Sequence, residues 1–272
     1  MEKLSLRDRY TLVTGASSGL GHEIARQIAR DHGGNLVLVA RRRDRLDALA
    51  DELRQNHNVQ VACVTADLSK RDDVERLFAE ATAGRTIHAA VLNAGVTYFG
   101  HGLEMDFAAF ESMLATNVSA VVWLTQKFLP YVIEKSPGGG VMIVSSVAGT
   151  TPTPFQAAYS GTKAFLNHYG MAMSEELAHV GASASLTVFA PGGIATEMGE
   201  KSGTARKFKK GDPGMMDVDV CARLALAGFV RRRRFVIPGT LNQMNDVLLR
   251  FVPRVVATSF TARIFRGALP PR

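Results

Sequence analysis

Tyr159-Ser160-Gly161-Thr162-Lys163 opens a segment with helical spacing, and positions four apart on a helix share one face. A phenol and an ammonium therefore project to the same side. A tyrosine with its ordinary pKa of about 10 is a poor base at neutral pH, but a neighbouring Lys⁺ favours the phenolate and lowers that value. The pair reads as a general acid/base tuned toward working pH. Tyr-x-x-x-Lys alone is common in helices, so its company decides. Ser145-Ser146 ends the apolar run 141–144 and lies a short way before Tyr159 in sequence. Asn93-Ala94-Gly95 ends an earlier apolar run, and Asn117 lies within the long helical region that follows.

Two further stretches carry anion chemistry. The first apolar run leads directly into Thr14-Gly15-Ala16-Ser17-Ser18-Gly19-Leu20-Gly21, and the helical pattern of Ile24, Ala25, Ile28 and Ala29 follows. Glycines there permit a tight turn and a close backbone approach to a pyrophosphate, while the helix N-terminus offers N–H groups and a partial positive charge. The second apolar run ends Val39-Ala40-Arg41-Arg42. A nicotinamide cofactor without a 2′-phosphate usually meets a carboxylate near this point, and one with it needs a cation. Ala40 stands where the acid would be, and guanidinium groups suit a phosphate in charge and geometry. Arg41 is the stronger candidate for that phosphate; Arg42 is balanced against a solvated helix start.

The elements that must hold these residues follow from periodicity. Apolar runs at 10–14, 36–40, 59–65, 89–93, 141–145 and 186–190 show little polar alternation, as strands buried on both faces of a parallel sheet do. Between them, 21–32, 43–55, 71–83, 106–133 and 159–179 have helical spacing. That alternation predicts right-handed crossovers and an α/β fold: a single-domain, Rossmann-type, doubly wound parallel sheet. Residues 220–230 read as a further helix and 235–237 as the last strand, while 196–216 read as a long loop of the kind that forms binding lids.

The ordered set Thr14-Gly15-x-x-x-Gly19-x-Gly21, Asp67-Leu68, Asn93-Ala94-Gly95, Asn117, Ser146, Tyr159-x-x-x-Lys163 and Pro191-Gly192-x-x-x-Thr196 closely resembles the short-chain dehydrogenase/reductases, over about residues 8–238. The resemblance implies that Tyr159 exchanges a proton with the reacting oxygen and that Ser146 hydrogen-bonds that oxygen. It implies that Lys163 holds the nicotinamide ribose and lowers the tyrosine pKa, and that Asn117 positions a water relaying protons from Lys163. By the same resemblance Gly15, Ser17, Ser18, Gly19, Leu20 and Gly21 cradle the cofactor. Asp67 and Leu68 lie at its adenine; Asn93, Ala94 and Gly95 line the cleft; Pro191, Gly192, Ile194 and Thr196 lie at the carboxamide. Leu92 and His88 depart from the usual family pattern at positions remote from this chemistry.

The chain has 272 residues and a formal charge of +7. Residues 1–200 hold 17 Lys/Arg against 21 Asp/Glu, and residues 201–272 hold 15 against 4, so the basic excess lies wholly in the last quarter. Arg231–Arg234 at the end of a helix suit its dipole better than they suit nucleic acid, since no aromatic-rich basic repeat accompanies them. The segment 245–266 is basic and amphipathic, and Pro253 should divide it into two short helices. A fold over the substrate cleft, a subunit interface and contact with an anionic membrane surface are its three readings. The chain contains no uncharged apolar run long enough to span a bilayer, and the start 1–9 lacks the apolar stretch of a secretory signal. Cys63 and Cys221 form neither a disulfide framework nor a metal site, and the scattered histidines suggest no metal.

The expected division is a catalytic domain over 1–240, with a lid at about 194–216, and an extension over 241–272. The expected function is NADP(H)-dependent interconversion of an apolar ketone and a secondary alcohol, in the cytoplasm or peripherally at a membrane, by a homodimer or homotetramer. A 3-oxoacyl-thioester reductase and a non-catalytic cofactor sensor are the alternatives.

Overall fold

The computed structural model describes residues 2–202, 211–212 and 214–269. Its strands are β1 (Tyr10–Thr14), β2 (Asn35–Ala40), β3 (Val61–Thr65), β4 (Ile87–Leu92), β5 (Gly140–Val144), β6 (Ser185–Phe189), β7 (Gly193–Ile194), β8 (Met215–Met216) and β9 (Phe235–Val236). Its α-helices are α1 (Gly19–His32), α2 (Arg43–His57), α3 (Arg71–Thr82), α4 (Phe107–Leu114), α5 (Ala120–Lys135), α6 (Ala157–His179), α7 (Glu197–Ser202), α8 (Val218–Val230), α9 (Thr240–Arg250) and α10 (Arg254–Arg266). Seven of the strands form one parallel sheet in the order β3-β2-β1-β4-β5-β6-β9. The six apolar runs read from the sequence all become strands of that sheet, displaced by two residues or fewer at either end.

Successive side chains on a strand point to opposite faces, and both faces here are covered. Val13 of β1 packs with Ile24 and Ile28 of α1, Leu46 and Leu49 of α2 and Phe229 of α8. Leu12, its neighbour, packs on the other side with Leu77 of α3, Leu124 and Phe128 of α5 and Leu166 of α6. The chain runs outward through β1, β2 and β3 and then crosses to β4, so the order reverses between β1 and β4. In such a sheet the crevice beyond the carboxyl ends of those strands receives ligands.

Three segments differ from the sequence reading. The expected helix over 106–133 is α4, one π turn (Ala115–Ser119) and then α5. A window within Phe107–Lys135 has a mean hydropathy of 1.4, enough by length and composition for a membrane span. Leu124, Phe128 and Val132 nevertheless pack into the sheet core.

The expected loop over 196–216 contains structure as well. β7 pairs in parallel with β8, and α7 follows β7. Residues 203–210 and 213 of that expected lid, with the lysine cluster at 207–210, lie outside the described residues. The extension forms α9 and α10, divided at Pro253 as expected although α9 starts earlier than 245.

Within the Arg231–Arg234 run, Arg232 turns inward with φ 54°. Its guanidinium donates to the Glu2 carbonyl at 2.6 Å, to the Gly139 carbonyl at 3.2 Å, to Ser185 Oγ at 3.1 Å and to the Gly138 carbonyl. One of the four like charges is thus a clamp between the N-terminal segment and the turn before β5.

Candidate active site

The glycine-rich turn between β1 and α1 is shaped by close approach. Gly15 (φ 69°) and Gly19 (φ 59°) lie in the left-handed region that disfavours a side chain. A Cβ on Gly15 would come within 2.8 Å of Asn93 Nδ2, and one on Gly21 within 2.4 Å of the same atom. Asn93 Nδ2 itself donates to the Thr14 carbonyl at 3.0 Å, and Thr14 Oγ1 accepts from the Asn93 and Ala94 amides at 2.9 and 3.0 Å. The turn and the end of β4 are therefore a single unit. Ser18 at the N-cap of α1 makes no side-chain cap bond, and the first turn of α1 has no acidic residue.

This cradle fits a dinucleotide. Its backbone lies bare where a Cβ would intrude, and its helix terminus is positive and lacks a side-chain cap. Arg42 extends the same surface. Its guanidinium donates to Ser17 Oγ at 3.0 Å and Ser18 Oγ at 2.8 Å, and pairs with Glu197 at 3.1 Å. Arg41, the stronger candidate from sequence, is exposed, and among the described residues no hydrogen bond or ion pair engages its guanidinium. The organised position at the turn therefore belongs to Arg42.

The adenine-side residues fit less directly. Asp67 Oδ1 accepts from the Ser69 amide at 3.1 Å and hydroxyl at 2.9 Å, which ties its carboxylate into a local turn. Leu68 is buried in one core cluster and Leu20 in the other, so their side chains pack inward.

At the other end of the crevice, Ser146, Tyr159 and Lys163 converge. The buried Lys163 Nζ donates to the Val144 carbonyl at 2.9 Å and lies 5.7 Å from the centre of the Tyr159 ring. Burial lowers the Lys163 pKa to about 8. Burial also raises that of Tyr159, with a hydrogen bond to Ser146 opposing the shift. The expected lowering of the phenol by the ammonium is thus not met. Desolvation dominates at the phenol, and the Lys163 ammonium is directed at a backbone carbonyl.

Ser146 Oγ donates to the Pro191 carbonyl at 3.3 Å and accepts from the Ala148 amide at 3.1 Å, and the Val147 amide also reaches the Pro191 carbonyl. Pro191-Gly192 is thereby seated beside the trio. A Cβ on Gly192 would meet Asn242 of α9 at 2.6 Å, and one on Gly19 would meet Thr196 at 3.4 Å, so 192–196 bridges the two ends of the crevice. Ile194 pairs with Met216 in the short β7–β8 ladder.

Asn117 lies in the π turn, fully buried. Its Nδ2 donates to the Val96 carbonyl at 2.8 Å and to Thr162 Oγ1 at 3.1 Å, and its Oδ1 accepts from the Val96 amide at 2.9 Å. Both ends of the carboxamide are thus engaged by the protein. The carboxamide fixes the segment after Gly95. A Cβ on Gly95 would lie 3.3 Å from Asn117 Oδ1 and 3.6 Å from Lys163 Nζ.

The mouth of the crevice is aromatic. The Phe155 carbonyl accepts from the Gly100 amide at 2.9 Å, and the Phe155 ring, at a residue with φ 67°, meets the His101 ring at 5.4 Å. Phe99 meets Phe265 of α10 at 6.3 Å, and Thr261 Oγ1 donates to the Pro152 carbonyl at 3.1 Å. The extension therefore packs against the rim of the site. Sequence reasoning did not single out Thr162, Phe155 or Glu197, and named Thr14 only as the start of the glycine motif. Only Thr14 had a local signal, being the residue that joins the first strand to the glycines.

Comparison with known proteins agrees with this geometry. Residues 9–207 match the family model described as short chain dehydrogenase. The chain is 34% identical over 195 residues to a very-long-chain 3-oxoacyl-CoA reductase of Podospora anserina, covering 69% of this chain and 56% of that one. It is 32% identical over 252 residues to 11-beta-hydroxysteroid dehydrogenase 1A of Arabidopsis thaliana, covering 85% and 68%. The chain spans little more than half the length of the oxoacyl reductases that it matches. Among solved structures, a short-chain dehydrogenase from Sphingobium yanoikuyae in complex with NADPH aligns with a TM-score of 0.77 and 29% identity, over 90% of this chain and 97% of that one. With its parallel sheet, its glycine turn and the trio at the sheet edge, the chain belongs to the short-chain dehydrogenase family.

Proposed function

We propose that this chain is an NADP(H)-dependent oxidoreductase that interconverts a ketone and a secondary alcohol on an apolar substrate. The carrying observation is the convergence of Ser146, Tyr159 and Lys163 at the end of a crevice whose other end is a bare glycine cradle flanked by Arg42. The nicotinamide supplies the hydride. Tyr159, kept protonated by burial, gives its proton to the carbonyl oxygen; Ser146 donates a hydrogen bond to that oxygen; Lys163 holds the ribose and keeps a positive charge behind the phenol. Phe99, Phe155 and Phe265 suit an apolar substrate body.

A 3-oxoacyl thioester is the second reading, favoured by the Podospora anserina relative's name. A sensor of cofactor would need the cradle alone, and the trio argues against it. The deciding experiment follows NADPH oxidation with a panel of bulky ketones and 3-oxoacyl thioesters. Turnover of ketones supports the proposal, turnover of thioesters alone reverses the ranking, and turnover of neither overturns it.

Pairing of protomers through α5 and α6 is favoured by exposed Leu114, Phe165 and Met171 on or beside those helices. For localisation we propose the cytoplasm, with peripheral membrane contact through the extension as its second site. Phe251, Val255, Val256 and Phe260 are exposed on its outer side, with Arg250, Arg254, Arg263 and Arg266 around them.

A further inference from the structure

Arg42 and Arg45 begin the path out of β2, and both reach Glu197 at the start of α7, in a distant part of the sequence. Glu197 Oε2 lies 3.1 Å from Arg42 Nη1, and Oε1 lies 2.6 Å from Arg45 Nη1. One carboxylate thus spans two guanidiniums, each oxygen serving a different arginine. The second face of the Arg42 guanidinium is held by Ser17 and Ser18 of the glycine turn. The two arginines hold the Glu197 carboxyl well below the usual range, at about 2, so it stays ionised throughout the physiological range.

A phosphate on the adenosine ribose that Arg42 recognises would compete with this carboxylate for the same guanidinium. We propose that Glu197 is a displaceable stand-in for the cofactor's 2′-phosphate, bridging Arg42 and Arg45 until that phosphate takes its place. This rests on the NADP(H) reading of the site. The charge arithmetic favours exchange: a phosphate monoester carries about −1.5 to −2 at pH 7 and three acceptor oxygens, against one negative charge and two oxygens for Glu197. It can satisfy both guanidiniums where the carboxylate half-neutralises them. The ion pairs are partly exposed and hence weak, which suits a contact that must open.

Glu197 also follows Thr196, whose side chain lies against Gly19 at the pyrophosphate turn. Release of the carboxylate would therefore free the start of α7 just where the cofactor passes. A cofactor without the 2′-phosphate offers nothing to exchange, so the bridge persists and Glu197 becomes a specificity-determining residue. The bridge lowers the fraction of protein competent for phosphate, and apparent affinity for the phosphate falls by that fraction.

Calorimetric titration with 2′,5′-ADP and with 5′-ADP tests this without catalysis. Glu197→Gln should tighten 2′,5′-ADP binding by about fivefold or more and leave 5′-ADP unchanged. Glu197→Asp keeps the charge but is one methylene too short to span both arginines, and should also tighten 2′,5′-ADP. Unchanged or weaker 2′,5′-ADP binding in Glu197→Gln overturns the proposal. So does equal tightening of both nucleotides, or tightening in the Gln variant alone, which would mean simple charge repulsion. If wild type and both variants bind the two nucleotides equally well, the NADP(H) reading itself fails.

Discussion

Asn117 Nδ2 meets Thr162 Oγ1 at 3.1 Å, which ties the π turn to the helix that carries Tyr159 and Lys163. The carboxamide also binds the Val96 backbone through both its nitrogen and its oxygen. Asn117→Ala would leave several buried groups without partners, at a cost of about 3 kcal/mol. The expected outcome is a lower urea midpoint and a lower kcat together. Unchanged stability with lost activity would instead indicate a direct role in proton transfer.

Tyr159→Phe removes the proton donor but keeps the ring. We expect kcat to fall by about 10²–10⁴-fold while NADPH binding, measured by fluorescence titration, is retained. Because burial raises the phenol pKa, reduction should be insensitive to pH across neutrality and alcohol oxidation should accelerate as pH rises. An enzyme unaffected by the substitution would refute the assigned chemistry.

Arg42→Ala should weaken NADPH binding by about tenfold or more and barely alter NADH, since charge-assisted hydrogen bonds to a phosphate are lost. Arg41→Ala should act in the same direction but less, because that guanidinium is not organised by the turn. Parallel KM measurements with both cofactors decide the matter, and equal effects on the two would remove either arginine from phosphate recognition.

His88 is buried against Ser136 Oγ at 2.8 Å, and burial lowers its pKa to about 4. The unfolded chain takes up this proton near pH 6.5, and the folded chain resists until about pH 4. Stability should therefore decline as pH falls across that interval, by up to about 3 kcal/mol from this residue. Urea unfolding from pH 7 to 4 should show a shallower decline in His88→Gln. An identical slope in the variant would acquit the histidine.

Vesicle sedimentation tests the outer face of the extension. Phe251→Ser, Val255→Ser and Phe260→Ser combined should abolish binding to vesicles containing anionic phosphatidylglycerol, binding that itself should weaken with salt. Retention of binding by the triple variant would place the contact elsewhere.

The parts of this fold that are legible from sequence are those encoded locally. Buried strands announce themselves by continuous apolar residues, and the glycine turn, Ser146 and the Tyr159–Lys163 pair lie at strand ends or on one helix face. The π turn at Asn117 is hidden because one extra residue barely disturbs the apolar period of a long helix. Leu20 and Leu68 sit inside motifs by sequence yet in the core by side chain. Glu197 leaves no trace at all, since an ion pair between distant segments has no period. The organisation of Arg42 by the turn is hidden for the same reason: only the folded turn shows which guanidinium reaches its serines.

The Arg232 clamp joins Glu2 to the far end of the catalytic unit, and the Leu4 amide donates to the Val230 carbonyl beside it. In topological terms that unit is nearly a closed ring. Polymer statistics make the closure less costly than its span suggests, because each doubling of a flexible loop adds only about 0.6 kcal/mol of entropy. So long a ring is scarcely harder to shut than one half its size, and the Arg232 guanidinium shares its fastening with the Leu4–Val230 backbone pair.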